Sequence, residues 1–208
     1  DDTSGNTNDL ATSGSPTPTI DCPSNNFATI NQLNPQASGY TIGNGNLSVT
    51  ANSGDAWRTL YGTIGASSGK YYWEQKIDAA SGTSHYVGAS DIFNMKNTND
   101  NDFESVTTSA YCYRPDGGIV SKNVLTAGWG ASWTTGDVIG VALDITNSKI
   151  YFAKNGTWQA SGDPTSGSTG TGAAYTIDAN TTYTATTATY NTSNDFSYNF
   201  GNGYFGTT

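Results

Sequence analysis

The segment GDVIGVALDITNSKIYFAKNGTW, Gly136 to Trp158, holds two strands and both of their turns. Ile139, Val141, Leu143 and Ile145 lie on one face of an extended chain, with Asp144 on the other. Asn147-Ser148 turns the chain. Ile150, Phe152 and Lys154 then alternate with Tyr151 and Ala153, and Asn155-Gly156 supplies a type I′ hairpin signal. Two adjacent strands on such short connections pair antiparallel.

The same texture extends outward. KYYWEQKI, Lys70–Ile77, sets Tyr71, Trp73, Gln75 and Ile77 against Lys70, Tyr72, Glu74 and Lys76, the pattern of a strand with one wet face. WRTLYGTI, Trp57–Ile64, alternates similarly, and GNLSV around Gly45–Val49 suggests an earlier strand. Further strands are expected at His85–Ala89, Ala110–Tyr113, Tyr175–Ile177, Thr182–Tyr190 and Phe196–Phe200. No window shows a 3.6-residue amphipathic period. Many short strands with closely spaced turn signals predict an all-β antiparallel sandwich. Residues 1–26, polar and carrying Pro16, Pro18 and Pro23, read as an extended arm ahead of a domain over 27–208. The chain opens on Asp1 without a Met or signal peptide, so a piece of a longer polypeptide or a processed product is expected.

Composition narrows the function. The chain has 208 residues, with 17 Asp+Glu against 8 Lys+Arg, a net charge of −9. No Lys/Arg cluster offers a surface to nucleic acid or anionic membranes, and no apolar run is long enough to cross a bilayer. With two cysteines, Cys22 and Cys112, and one histidine, His85, a standard structural zinc site is not expected. Two unpaired thiols are favoured over a Cys22–Cys112 bridge.

The chemistry-bearing residues are sparse. A Ser-His-Asp arrangement would have to use His85, which sits inside the strand-like HYVGAS and reads as structural. Glycoside hydrolysis needs two carboxylates across a cleft. Glu74 stands alone on its strand, and Asp144 precedes a turn, where it caps local backbone. The stretch Asp91–Ser105 offers Asp91, Asp100, Asp102 and Glu104 with Asn97, Asn99 and Asn101 as hard oxygen donors, but lacks EF-hand spacing, so a solvated loop is preferred to a calcium site. No catalytic residue, metal or cofactor is expected.

Aromatic residues of the segment that follows Tyr113 are the candidates for ligand contact. Arg114–Asp137 carries Trp129 and Trp133 among small residues, and indole rings on such a loop can stack on sugar faces or seat a partner's apolar side chain. Tyr113, Arg114, Trp129 and Trp133 form the expected ligand-binding set, while folding of both indoles inward as lids on the sandwich end is the plainer account of each. Trp57, Trp73 and Trp158 are expected in the core.

The order GKYYWEQKI (Gly69–Ile77), HYVGAS (His85–Ser90), GDVIGVALDI (Gly136–Ile145), KIYFAKNGTW (Lys149–Trp158) and FSYNFGNGYF (Phe196–Phe205) resembles the SPRY domain over roughly residues 27–205. The resemblance implies a concanavalin-like jelly roll that serves as a binding module without catalytic apparatus. Gln75 stands where the family usually has an aliphatic residue, so either it has a partner or the register differs locally. PSNNFATINQLNP (Pro23–Pro35) and the terminal NFGNGYFG (Asn199–Gly206) are similar to SPRY-like modules of tailed-bacteriophage structural proteins. That likeness implies a virion-surface, extracellular setting in a tail fibre or similar appendage, with other virion proteins and a host surface polysaccharide or protein as partners, and a homo-oligomer. A purely architectural role, a secreted adhesin and a polysaccharide-degrading enzyme are the alternatives.

Overall fold

The computed structural model of the protein describes residues 26–34, 37–52, 54, 56–92, 109–190, 192–201 and 205. The strands are β1 Tyr40–Gly43, β2 Ser48–Ala51, β3 Arg58–Tyr61, β4 Lys70–Ile77, β5 His85–Asp91, β6 Ala110–Tyr113, β7 Ile119–Ser121, β8 Val124–Thr126, β9 Val138–Asp144, β10 Lys149–Lys154, β11 Thr157–Trp158, β12 Tyr175–Thr176, β13 Tyr183–Thr189 and β14 Phe196–Asn199. They form two sheets whose pairings are all antiparallel: one in the order β1-β2-β14-β4-β9-β10-β11 with β12 also on β10, the other β3-β13-β5-β6-β7-β8. The protein is an all-β, two-sheet sandwich, and among the described residues the helical elements are single 3-10 turns. The expected arm falls outside the description apart from Asn26, as do Cys22 and most of the Asp91–Ser105 stretch.

The alternation read from Gly136–Trp158 matches the pairing. Val141 sits opposite Phe152 and Leu143 opposite Ile150, and all four are buried between the sheets. Asn155 and Gly156 take the positive φ values of 49° and 78° that a type I′ turn requires. Asp144 closes the β9–β10 connection by accepting from the Asn147 backbone N–H at 3.0 Å and side-chain amide at 2.8 Å. It also meets the Lys70 ammonium at 2.6 Å. Burial opposes its charge, but Lys70 and Asn147 outweigh it and hold the carboxyl below the usual carboxylate range.

Trp73, Ile77, Ile139 and Phe152 of the first sheet face Leu60, Val87, Tyr111, Tyr113 and Tyr183 of the second, so large aromatics supply much of what aliphatic residues fill in other cores. Gly88 permits the closest strand contact: a Cβ there would sit 1.9 Å from the Tyr111 carbonyl oxygen. On β6, Cys112 is fully buried, and its thiol donates to the Val120 carbonyl at 3.6 Å.

Gln75, the polar residue on a core face, has partners. Its amide donates to His85 Nε2 at 3.3 Å, and its carbonyl accepts from Thr187 Oγ1 at 3.1 Å, the hydroxyl that also meets Tyr198 OH. A three-strand polar bridge therefore replaces the aliphatic residue, with no shift of register on β4.

Candidate functional site

β4 runs the length of the first sheet, and its two ends carry different surfaces. At its C-terminal end Ile77 exchanges backbone bonds with the 136–137 turn, Ile77 N donating to Asp137 at 2.9 Å and Gly136 N to Ile77 at 2.7 Å. The segment bearing Trp129 and Trp133 leads into that turn. Tyr71 and Tyr72 sit at the other end, roughly 20 Å away at the rise of an extended chain.

At the Trp end Tyr113, Trp129 and Trp133 are brought together with their rings against the core, whereas Arg114 lies on the outer face of the second sheet. Trp133 is 3% exposed and stands edge-on to His85 at 5.4 Å; Tyr113 is fully buried and stacks on Phe152 at 5.5 Å. Trp129 is half-buried, edge-on to Tyr113 at 5.8 Å and to Phe152 at 6.1 Å. Arg114 lies 5.3 Å over the Tyr86 ring and pairs with Asp116 at 3.1 Å. The segment is clamped. Gly130 N donates to Gly117 at 2.8 Å, Trp133 N to Pro115 at 2.8 Å and Ala131 N to Gln159 Oε1 at 2.8 Å, while Tyr113 OH donates to the Ala131 carbonyl. Gly117 lets the two loops touch, since a Cβ there would meet Gly130 O at 2.3 Å and its φ is +83°. Outward, the stretch that follows Thr126 presents mostly backbone and small residues, while Val124 and Leu125 of β8 are exposed.

The same residues bear on catalysis. His85 is fully buried among Gln75, Trp133 and Phe196, and burial lowers its pKa from 6.5 to about 3, so it stays neutral at physiological pH. Glu74 accepts from Tyr72 OH at 2.8 Å and from Asn199 at 3.3 Å. No group of three or more His, Cys, Asp or Glu side chains able to hold a metal ion occurs among the described residues.

The opposite end is open. Between the two sheets lies a cleft of about 280 Å³, lined by Phe27, Ile64, Tyr71, Tyr72, Trp73, Leu143, Tyr183 and Phe200, with Asn26, Ala28, Ala66, Thr184 and Ala185. Trp73 forms the floor at 4% exposure, whereas Ile64, Tyr71 and Tyr72 at the mouth are 45%, 43% and 50% exposed. A second hollow of about 290 Å³ on the outer side shares Tyr71, Tyr72 and Leu143 and adds Lys70, Ala142, Asp144, Trp158 and Pro164. The two tyrosines therefore form a ridge between two depressions. Their position explains their exposure. Consecutive strand residues point to opposite faces, so Tyr71 faces the open cleft and Tyr72 the outer hollow. Tyr72 stands edge-on to Trp158 at 6.1 Å; burial, then the Glu74 carboxylate, raises its pKa and keeps the phenol protonated. Phe27 and Gly201, from the two ends of the described domain, meet at this cleft, where a Cβ on Gly201 would come within 2.9 Å of the Phe27 ring.

Sequence alternation counts Tyr71 as an inward residue and gives no means of knowing that the sheets leave an open cleft there. Phe27, Ile64 and Phe200 lie outside strands altogether, so only the pairing of distant segments brings them together.

The model of the SPRY domain family matches residues 70–194, from β4 to the turn before β14. Among solved structures, the SPRY domain of human HERC1 is similar, with 20% identity, 79% of this chain and 94% of that chain covered, and a TM-score of 0.62. A second human SPRY domain gives 12% identity, 80% and 98% coverage, and a TM-score of 0.57. At these identities the likeness is one of fold. No curated protein matches the chain.

Proposed function

Since this chain belongs to the SPRY domain family, whose members are in general non-catalytic interaction modules, we propose that it is a non-enzymatic recognition module that engages a macromolecular partner at the β4 end of its sandwich. The observation that carries this reading is the open aromatic cleft with half-exposed Tyr71, Tyr72 and Ile64 at its mouth. Aromatic side chains of this kind offer large, stiff contact area at low entropic cost. The non-enzymatic part is supported by the burial of the single histidine and by the engagement of Glu74 and Asp144 in local hydrogen bonds.

The setting we propose is the surface of a bacteriophage virion, with a host surface polysaccharide or protein as ligand, other virion proteins as neighbours and several copies displayed together. Support comes from the phage-like segments Pro23–Pro35 and Asn199–Gly206, and the acidic surface would disfavour indiscriminate adhesion to anionic envelopes.

The test is binding of the purified chain to panels of bacterial surface polysaccharides and surface proteins, with Tyr71→Ala/Tyr72→Ala and Trp129→Ala variants alongside. Saturable binding that falls at least tenfold in the tyrosine variant and survives in the Trp129 variant is expected. Binding lost only in the Trp129 variant would move the site to the other end, and release of new reducing ends from a polysaccharide would overturn the non-enzymatic reading.

A further inference from the structure

We infer that the cleft between the sheets receives a cationic side chain, arginine or lysine, of a partner polypeptide; the inference rests on the recognition reading above and names the ligand class. Five aromatic residues line the cleft from within, Phe27, Tyr71, Trp73, Tyr183 and Phe200, with Tyr72 at its rim on the outer side of β4, and no charged side chain is among its described lining residues. Aromatic faces carry negative potential, and a guanidinium or ammonium brought among them is attracted without needing a carboxylate inside the cleft. One acid lies close to the mouth on the inner side: Asp91 is the cross-strand partner of Tyr183.

The cation nearest in sequence does not oppose this. Lys70 is held on Asp144 at 2.6 Å, so its charge is matched locally. The same holds over the molecule. Lys70, Lys76, Arg114, Lys122 and Lys154, five of the eight basic residues, are ion-paired, leaving a marked acidic surplus within a net charge of −9. An anionic ligand would meet this field unfavourably and find no donor cluster in the cleft. A neutral apolar anchor would fill the volume but gain nothing from the charge, and that difference is measurable.

The experiment uses three soluble peptides that differ at one central residue, Arg, citrulline or norleucine, titrated into the full chain and followed by heteronuclear NMR. Citrulline keeps the shape of arginine without its charge; norleucine keeps the apolar stem. The Arg peptide is expected to bind on the order of tenfold tighter than the citrulline peptide. Its affinity should fall as salt rises, and the preference should disappear in Tyr71→Leu/Tyr72→Leu, which retains apolar area. Equal or tighter binding of norleucine would overturn the cationic assignment and leave recognition at the cleft intact. Arg binding that survives in the leucine variant would overturn it by placing the site elsewhere. No peptide binding beside saturable polysaccharide binding would overturn the inference alone. Failure of every peptide, polysaccharide and surface protein would overturn both readings.

Discussion

His85 shows how a single residue can be misjudged from its chemistry. As the only histidine it invites a catalytic role, yet it is sealed between the sheets with Gln75 as donor to Nε2, and its buried Nδ1 meets no hydrogen-bond partner. A second ring proton would have to sit on Nε2, facing the Gln75 amide, and would make a buried, unsolvated cation, so burial lowers the pKa from 6.5 to about 3. The unfolded chain therefore takes up a proton first as pH falls. Stability is full above pH 6.5 and is lost progressively from there down to about pH 3. Unfolding free energy from urea titration should drop by roughly 3 kcal/mol between pH 7 and pH 4. The carboxyls of Asp137, Asp144 and Asp178, held below their ordinary range, add their own loss only at lower pH. A flat profile down to pH 4 would mean that the folded protein accommodates the imidazolium. Gln75 was legible as an anomaly in the sequence, but its partners, on β5 and β13, become neighbours only through sheet pairing.

At the scale of elements, legibility followed length and alternation. β4 and β6 have the bounds expected from sequence, and β9–β10 was readable because seven- and six-residue strands alternate cleanly on either side of turn residues. β1, β7 and β8 were not anticipated. β7 is buried on every residue and β8 exposed on every residue, and three positions without alternation carry no period for a reader to detect. The β9–β10 connection depends on Asp144, whose carboxylate satisfies Lys70 and two groups of Asn147 from a nearly buried position. Asp144→Ala should cost about 2 kcal/mol, because the Asn147 backbone N–H and Lys70 lose a charged acceptor together. Chemical denaturation of the variant checks this; a change under 0.5 kcal/mol, on the scale of an isolated surface pair, would contradict it.

At the scale of the whole molecule, the two ends of the sandwich differ: one is closed by buried rings and the other is open. Trp133 and Tyr113 close one end, and their anchoring bonds fix the loop above them. Trp133→Ala should therefore lower unfolding free energy by about 3–5 kcal/mol, whereas Tyr71→Ala, at a half-exposed mouth position, should stay within about 1 kcal/mol. Urea unfolding of the two variants side by side measures the difference, and equal losses would contradict it. The aromatic richness that suggested a contact site was visible in the sequence. So were the inward fold of Trp133 and the core place of Trp73; that Trp57 and Trp158 stay only partly buried was not, because inward and outward are properties of the sheet stack. The pair at Tyr71 and Tyr72 reads as ordinary strand alternation, and only the open cleft between Tyr71 and the opposite sheet sets it apart.

Recognition at the β4 end is the central claim, and amide chemical-shift mapping on the labelled full chain tests it most directly, using the Arg peptide and the tightest polysaccharide of the binding panel as probes. Shifts that cluster on Phe27, Ile64, Tyr71, Tyr72, Tyr183 and Phe200 are predicted. Shifts that cluster instead on Arg114–Asp137, with the cleft unmoved, would contradict the account.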